Sequence, residues 1–166
     1  MSERSAAPGG LALVESLVNT LDIESGADAL DTEDGRARFG LTQDEVEAAR
    51  ELRESLRAAL LAHAGHPPHS RVVPLDELLA SAPLRVTVDA TDGSAALTPA
   101  DARPLLSRVA AAVAESLVAG TWLRLKACEA ETCHWAYYDR SPAGRGRWCS
   151  MQVCGARAKM RRYRAR

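Results

Sequence analysis

The sequence predicts a mainly α-helical protein. A helical N-terminal domain with one small β-hairpin should precede a short C-terminal module of knuckle, hairpin and helix. Three observations lead there. Apolar residues recur at helical spacing in three stretches before residue 120. All four cysteines lie between positions 128 and 154, in two pairs. The third is a division of composition: six of the seven aromatic residues (Trp122, Trp135, Tyr137, Tyr138, Trp148 and Tyr163) lie beyond residue 121, and only Phe39 lies before it. Charge divides in the same place. Residues 1–119 carry 10 Lys and Arg against 19 Asp and Glu, whereas residues 120–166 carry 11 against 3. A near-neutral total therefore hides an acidic half and a basic half, and the basic one suits a polyanionic partner. The alternative is that the two halves attract each other and the basic tail docks on its own domain.

Residues 1–10, with Pro8, Gly9 and Gly10, read as a disordered start. Leu13, Val14, Leu17, Val18 and Leu21 share a helical face, so Leu11 to Leu21 should be a short buried helix. Asn19 and Thr20 at its end either line a ligand site or cap the helix and satisfy a neighbouring backbone. Asp22 to Gly40 is acidic, lacks periodicity and reads as a solvated loop. Thr42 and Glu45 form a capping box that opens a helix to about Ala64, ended by Gly65. Its apolar face holds Val46, Ala49, Leu52, Leu56, Ala59 and Leu60, and its opposite face alternates Glu47, Glu51 and Glu54 with Arg50, Arg53 and Arg57. His63, His66 and His69 recur every third residue, but Pro67 and Pro68 break the helix, so an exposed turn fits better than a metal site.

Val73 to Ala80 suggests a short helix stopped by Pro83. Leu84 to Val88 alternates as a half-buried strand, and Ala95 to Leu97 can return after the turn at Asp89 to Ser94. Thr98, Pro99 and Asp101 have the order of an N-terminal cap for a helix ending near Gly120. Leu105, Val109, Val113 and Leu117 line one face, and the alanines at 110–112 and 114 let a neighbouring helix approach closely. This helix should pack on the 43–64 helix to form most of the core. Leu123 to Lys126 leads into Cys128 without a flexible linker, so the C-terminal module should be held against the helical domain.

Cys128 and Cys133 form the first cysteine pair, and Cys149 and Cys154 the second. Thiolates so paired close a tetrahedral Zn²⁺ site with Zn–S near ~2.3 Å. Two disulfides are the alternative; nothing resembling a secretory signal precedes the fold, which favours reduced thiols and metal. One structural zinc is expected, and its binding would supply the free energy that so few apolar side chains cannot. Trp135 to Asp139 and Arg147-Trp148 flank a Ser-Pro and Gly-rich turn and read as a hairpin. Ser150 can cap a helix from Met151 to about Arg164 that carries Cys154. Knuckle, hairpin and ligand-bearing helix together resemble a treble-clef zinc module. Gly155 inside the helix costs roughly 1 kcal/mol relative to Ala, which close approach to the zinc or to a phosphate would rationalise.

The run from Cys128 through His134-Trp-Ala-Tyr-Tyr-Asp139 to Arg147-Trp-Cys-Ser-Met151 and Cys154-Gly-Ala-Arg-Ala-Lys159 resembles the CGNR zinc finger family. Leu17-Val-Asn-Thr-Leu-Asp22 resembles, more weakly, the start of that family's N-terminal ABATE domain. The resemblance implies a bacterial, stress-induced transcription regulator: a disordered start over 1–10, an ABATE-like domain over 11–122 and a zinc finger over 123–166. The chain departs from the motif at Ala156, where the family carries Asn.

Basic residues supply the binding expectation. Arg157, Lys159, Arg161, Arg162, Arg164 and Arg166 lie within ten residues, and Arg145 and Arg147 precede them on the turn. These cations spread over more than one helical face, which suits phosphate contacts better than base reading. Arg157, Arg161 and Arg164 form the most coherent stripe. DNA is the expected partner on the resemblance, with RNA possible, and a ligand or dimer partner is possible at the helical domain. No nucleophile motif, phosphate loop or His-Glu metal pair supports an enzyme, and four cysteines argue for a closed site rather than a catalytic zinc. His134 could replace a cysteine, but adjacent ligands rarely both reach one ion. No apolar run approaches the ~18 residues of a membrane span, so a cytoplasmic protein is expected. The rival reading is a protein-interaction adaptor whose arginines dock on an acidic protein surface.

Overall fold

The computed structural model describes residues 5–165. Its helices are α1 (Leu11–Val18), α2 (Glu33–Ala37), α3 (Val46–Ala62), α4 (Leu75–Leu79), α5 (Leu105–Val118) and α6 (Ala156–Arg164). Strands β1 (Leu84–Val88) and β2 (Ala95–Pro99) form one antiparallel hairpin, and β3 (Leu125–Ala127) and β4 (Ala136–Tyr138) form another. The mainly helical class is as expected.

The centre of the core is α1. It is apolar nearly all round, so it buries two faces, one against α3 and one against α5. Leu11, Val14, Leu17 and Val18 are all buried. The expectation that α5 packs on α3 to form most of the core needs α1 added, because the two meet chiefly through it. Gly10 shows how close the packing is, because a Cβ there would stand 2.7 Å from the Ala112 Cβ. The alanines of α5 do admit a neighbouring helix, and that helix is α1. Leu52, Leu56, Leu60, Val109 and Val113 complete the cluster, each large side chain contributing about 1.5–3 kcal/mol by leaving water. The same cluster runs on without a break into Leu125 and Ala127 of β3 and Ala136 of β4.

The capping box at Thr42 is present, with the Glu45 carboxylate accepting from the Thr42 N–H at 2.8 Å. Gly65 ends the following turn at φ 81°. Several other local expectations change. Ser5 to Gly10 are tied down rather than disordered: the Ala7 N–H donates to Glu15 at 2.7 Å and Arg140 donates to the Ala6 carbonyl at 2.7 Å. Residues 1–4 of that expected start lie outside the described residues. The 22–40 stretch is not all loop. It holds α2, capped by Thr32, and plants Leu30 and Phe39 in the core; a five-residue helix is too short to show periodicity. Thr98 and Pro99 end β2 instead of opening α5, which begins after Pro104. A Thr-Pro pair serves a strand end as well as a cap. The β1–β2 hairpin forms, but it is exposed rather than half-buried, with Val86 70% and Val88 64% accessible.

The charged face of α3 is the largest correction. Arg53 and Arg57 stand on the face opposite the apolar one, yet both are buried. Arg53 donates to Asp28 at 2.7 Å and to Thr20 at 3.0 Å. Arg57 donates to Glu54 at 3.0 Å and to two carbonyls from opposite ends of the chain, Val18 and His134, both at 2.9 Å. A rigid five-donor fork can satisfy several acceptors at once, which is what makes burial of the charge tolerable.

Candidate metal centre and basic helix

The second hairpin brackets the first cysteine pair. Strand β3 leads into Cys128, the chain turns through Ala130 and Cys133, and β4 returns from Ala136. The hairpin was expected across the Ser-Pro turn, with Arg147-Trp148 as its second strand; instead β4 pairs back with β3. A three-residue strand leaves no periodic trace, so its sequence does not announce it. The turn needs a left-handed residue, which is His134 at φ 47°. The His134 Nδ1–H donates to the Cys128 carbonyl at 2.9 Å, so the ring braces the turn and is not a ligand.

The second cysteine pair comes from the start of the last helix. The Ser150 hydroxyl accepts from the Val153 N–H at 3.3 Å, as a cap should. A wide first turn over Met151–Gly155 then carries Cys154 before α6 proper. Gly155 is also closely surrounded by the protein itself. A Cβ there would meet the Met151 Sδ at 3.1 Å and the Trp148 ring at 3.3 Å, so close approach of these two side chains rationalises the glycine.

These elements bring the four sulfurs within 4.8 Å of one another, Cys133 to Cys149 at 3.5 Å and Cys149 to Cys154 at 3.7 Å. All four thiols are free. Ligands ~2.3 Å from a tetrahedral centre stand about 3.8 Å apart, so the cluster fits a metal and not disulfides. The electrostatics agree. Hydrogen bonds from Cys133 and Cys149 pull the Cys128 thiol down to about 2, and its hydrogen bond and charge push Cys133 up to about 12 and Cys149 higher still. Burial raises Cys154. One thiolate thus opposes the next, and only a cation lets all four ionise together. Cys128 and Cys154 are buried; Cys133 and Cys149 are half-buried.

The centre is fastened to the helical domain at several points. The Asn19 amide donates to the Ala136 carbonyl at 3.0 Å and its oxygen accepts from the Ala136 N–H at 2.7 Å. The polar pair after α1 therefore satisfies a backbone, the second of its two sequence readings. His63 donates through Nδ1 to the Leu125 carbonyl at 2.7 Å and meets Trp122 edge to face. His66 contacts Glu129 at 3.1 Å, and His69 contacts Glu54 at 2.9 Å. His63 and His66 thus join the two parts, while Gly65, Pro67, Pro68 and His69 form the exposed turn that was expected, and the three histidines form no metal cluster among the described residues. Inside the module, Lys126 and Asp139 make a buried ion pair at 3.0 Å. Burial opposes the Asp139 charge, but bonds from Ser141, Lys126 and Gly146 outweigh it and hold the carboxyl well below the usual range. The bonds that Arg57 makes to the Val18 and His134 carbonyls have no local signal in the sequence, because those partners lie 39 and 77 residues away.

The basic residues are arranged differently. Arg147 pairs with Glu129 at 2.9 Å and Arg157 with Glu24 at 2.9 Å. Arg145 is exposed. Lys159, Arg161, Arg162 and Arg164 are exposed and make no ion pair among the described residues. Arg166 lies outside the described residues. Ala156 is exposed, so the position where the family carries Asn is on the surface.

A helical domain fused through a shared core to a four-cysteine treble-clef-like module defines the class: a zinc-finger protein with one structural zinc held by Cys128, Cys133, Cys149 and Cys154. Residues 124–166 match the CGNR zinc finger, and residues 11–120 match ABATE, described as "Putative stress-induced transcription regulator". The second match spans more than half of the chain, and the protein belongs to that family. No curated protein matches it significantly. No helix among the described residues is long and apolar enough to cross a membrane.

Proposed function

We propose that the protein is a zinc-dependent transcription regulator that contacts DNA through its basic C-terminal helix. The observation that carries the reading is α6 itself. It projects from the zinc centre with every residue from Arg161 to Ala165 exposed, and among the described residues its cations make no ion pair beyond Arg157–Glu24. A nine-residue helix so basic gains little from its own fold, and among the described residues it is tied to the rest near its cysteine-bearing end. Phosphates would neutralise it. Arg157, Lys159, Arg161, Arg162 and Arg164, with Arg166 beyond them, are the proposed contacts, and Arg145 and Arg147 flank them. Arg147 must loosen from Glu129 to take part. The four-thiolate site has no ligand position to spare for catalysis, which suits binding and not turnover. The ABATE description supports the regulatory role, and the cytoplasm is its proposed place.

A mobility assay over a salt series tests the reading. Replacing Arg157, Arg161 and Arg164 by Gln removes three exposed charges and leaves the zinc ligands untouched. Affinity should fall for every duplex, and the slope of log affinity against log salt should flatten by about three. If wild type and triple mutant bind nucleic acid alike, or neither binds at low salt, the adaptor reading takes its place.

A further inference from the structure

We infer, resting on the reading above, that α6 and the wide turn before it enter the major groove of duplex DNA and read A·T base pairs through an outward face formed by Val153 and Met160. The sequence favoured phosphate contacts alone; the structure adds a face. Val153 is 48% and Met160 51% exposed, and they line a groove along the helix with Gln152 on one edge and Arg157, Arg161 and Arg164 on the other. The opposite side of the helix serves the fold, since Cys154 and Gly155 are buried there and Ala158 is half-buried. Among the described residues nothing covers the outward sides of Val153 and Met160, and their exposure to water is unfavourable unless a partner covers them.

The charge pattern selects the occupant. Counted from Met160 within α6 at 3.6 residues per turn, Arg157 and Arg161 fall on one flank and Lys159 on the other. A helix with cations on both flanks suits a trough with anionic walls on both sides. A flat acidic protein surface would engage one flank. The major groove is ~12 Å wide, as wide as a helix with its side chains, and a phosphate backbone lines each wall. The deep, narrow major groove of duplex RNA does not admit side chains. Base chemistry narrows the choice. Glutamine pairs with both adenine N6 and N7, while aliphatic side chains contact the thymine methyl, and an A·T pair presents both. Gln152 beside Val153 and Met160 is that combination.

The test is selection from random duplexes, followed by affinity measurements on the full-length zinc-loaded protein. Wild type should enrich sites containing A·T pairs. Replacing thymine by uracil in the enriched site removes only the methyl and should weaken binding roughly 4-fold for each methyl contacted. The variant with Gln152→Ala, Val153→Ala and Met160→Ala should keep its zinc, its non-specific affinity and its salt slope, but lose the preference and the response to uracil. The uracil substitution needs no altered protein, so the proposal stays testable if the variant fails to fold. Wild type that binds duplexes without preference, ignores uracil, or prefers duplex RNA overturns the base-reading proposal and leaves phosphate binding standing. An unchanged motif in a folded variant overturns it too. Absence of any nucleic-acid binding overturns both readings.

Discussion

Arg57 shows how much a single side chain can join. Its guanidinium lies in the core with Glu54, holding the last carbonyl of α1 and the carbonyl of the knuckle residue His134 at once. Arg57→Ala would leave two carbonyls and a carboxylate without their donor, and should destabilise by about 3–5 kcal/mol, read from the urea midpoint. Arg57→Lys should recover only part of that, because an ammonium cannot span the same acceptors. A loss below about 1 kcal/mol for Arg57→Ala would show that the buried fork is not needed. His63 titrates at the same interface. Burial lowers its pKa below the ordinary 6.5, so the folded state binds the proton more weakly than the unfolded chain does. The sign follows: stability is full above about pH 6.5 and falls as pH drops below it. His63→Gln keeps an N–H donor and removes the titration, so the pH dependence of the melting temperature between 7 and 5 should be shallower in the variant. Equal slopes would exclude His63 as the source. None of these roles is legible in sequence. An arginine at i+3 from a glutamate reads as a solvent pair, and a partner 77 residues away gives no local signal.

At the scale of elements, the helices of the core were read from their apolar spacing, and the ligand cysteines from their pairing, because both signals are local. What failed was the choice of partners. The β-prone run after Trp135 identifies a strand but not the strand it pairs with, and the three residues of β3 are too few to advertise themselves. Likewise α1, only eight residues long, looked subsidiary beside α3, although its nearly continuous apolar sequence is what lets it be covered on two sides. The buried faces of α3 and α5 can be tested directly. Leu56→Ala should cost about 2–5 kcal/mol, and Val113→Ala less, because fewer methyl groups are lost. Unchanged urea midpoints for both would mean that other faces are buried.

For the whole molecule, the shared core changes what zinc removal should do. Taken alone, a cysteine module would unfold and leave the helical domain as it was. Here Leu125, Ala127 and Ala136 belong to the same apolar cluster as α1 and α3, and Asn19, Arg57 and His63 bond to the backbone of the module. Chelation, or Cys154→Ser, should therefore lower the melting temperature of the N-terminal helices as well as release one zinc per chain. Helical circular dichroism with an unchanged midpoint after metal loss would show the two parts to be energetically independent. The metal becomes in this way a determinant of the whole fold, although its ligands all lie in the last quarter of the chain.

Asn19 has a further consequence. In β4, the N–H and carbonyl of Ala136 point away from β3, and an incoming extended segment would use those two groups to add itself to the pair. The carboxamide of Asn19 offers one acceptor and one donor with the spacing of a peptide group, and it takes both. A single side chain thus imitates the neighbour that a third strand would be. It terminates the sheet, and at this position denies an edge-on template to a second copy of the chain.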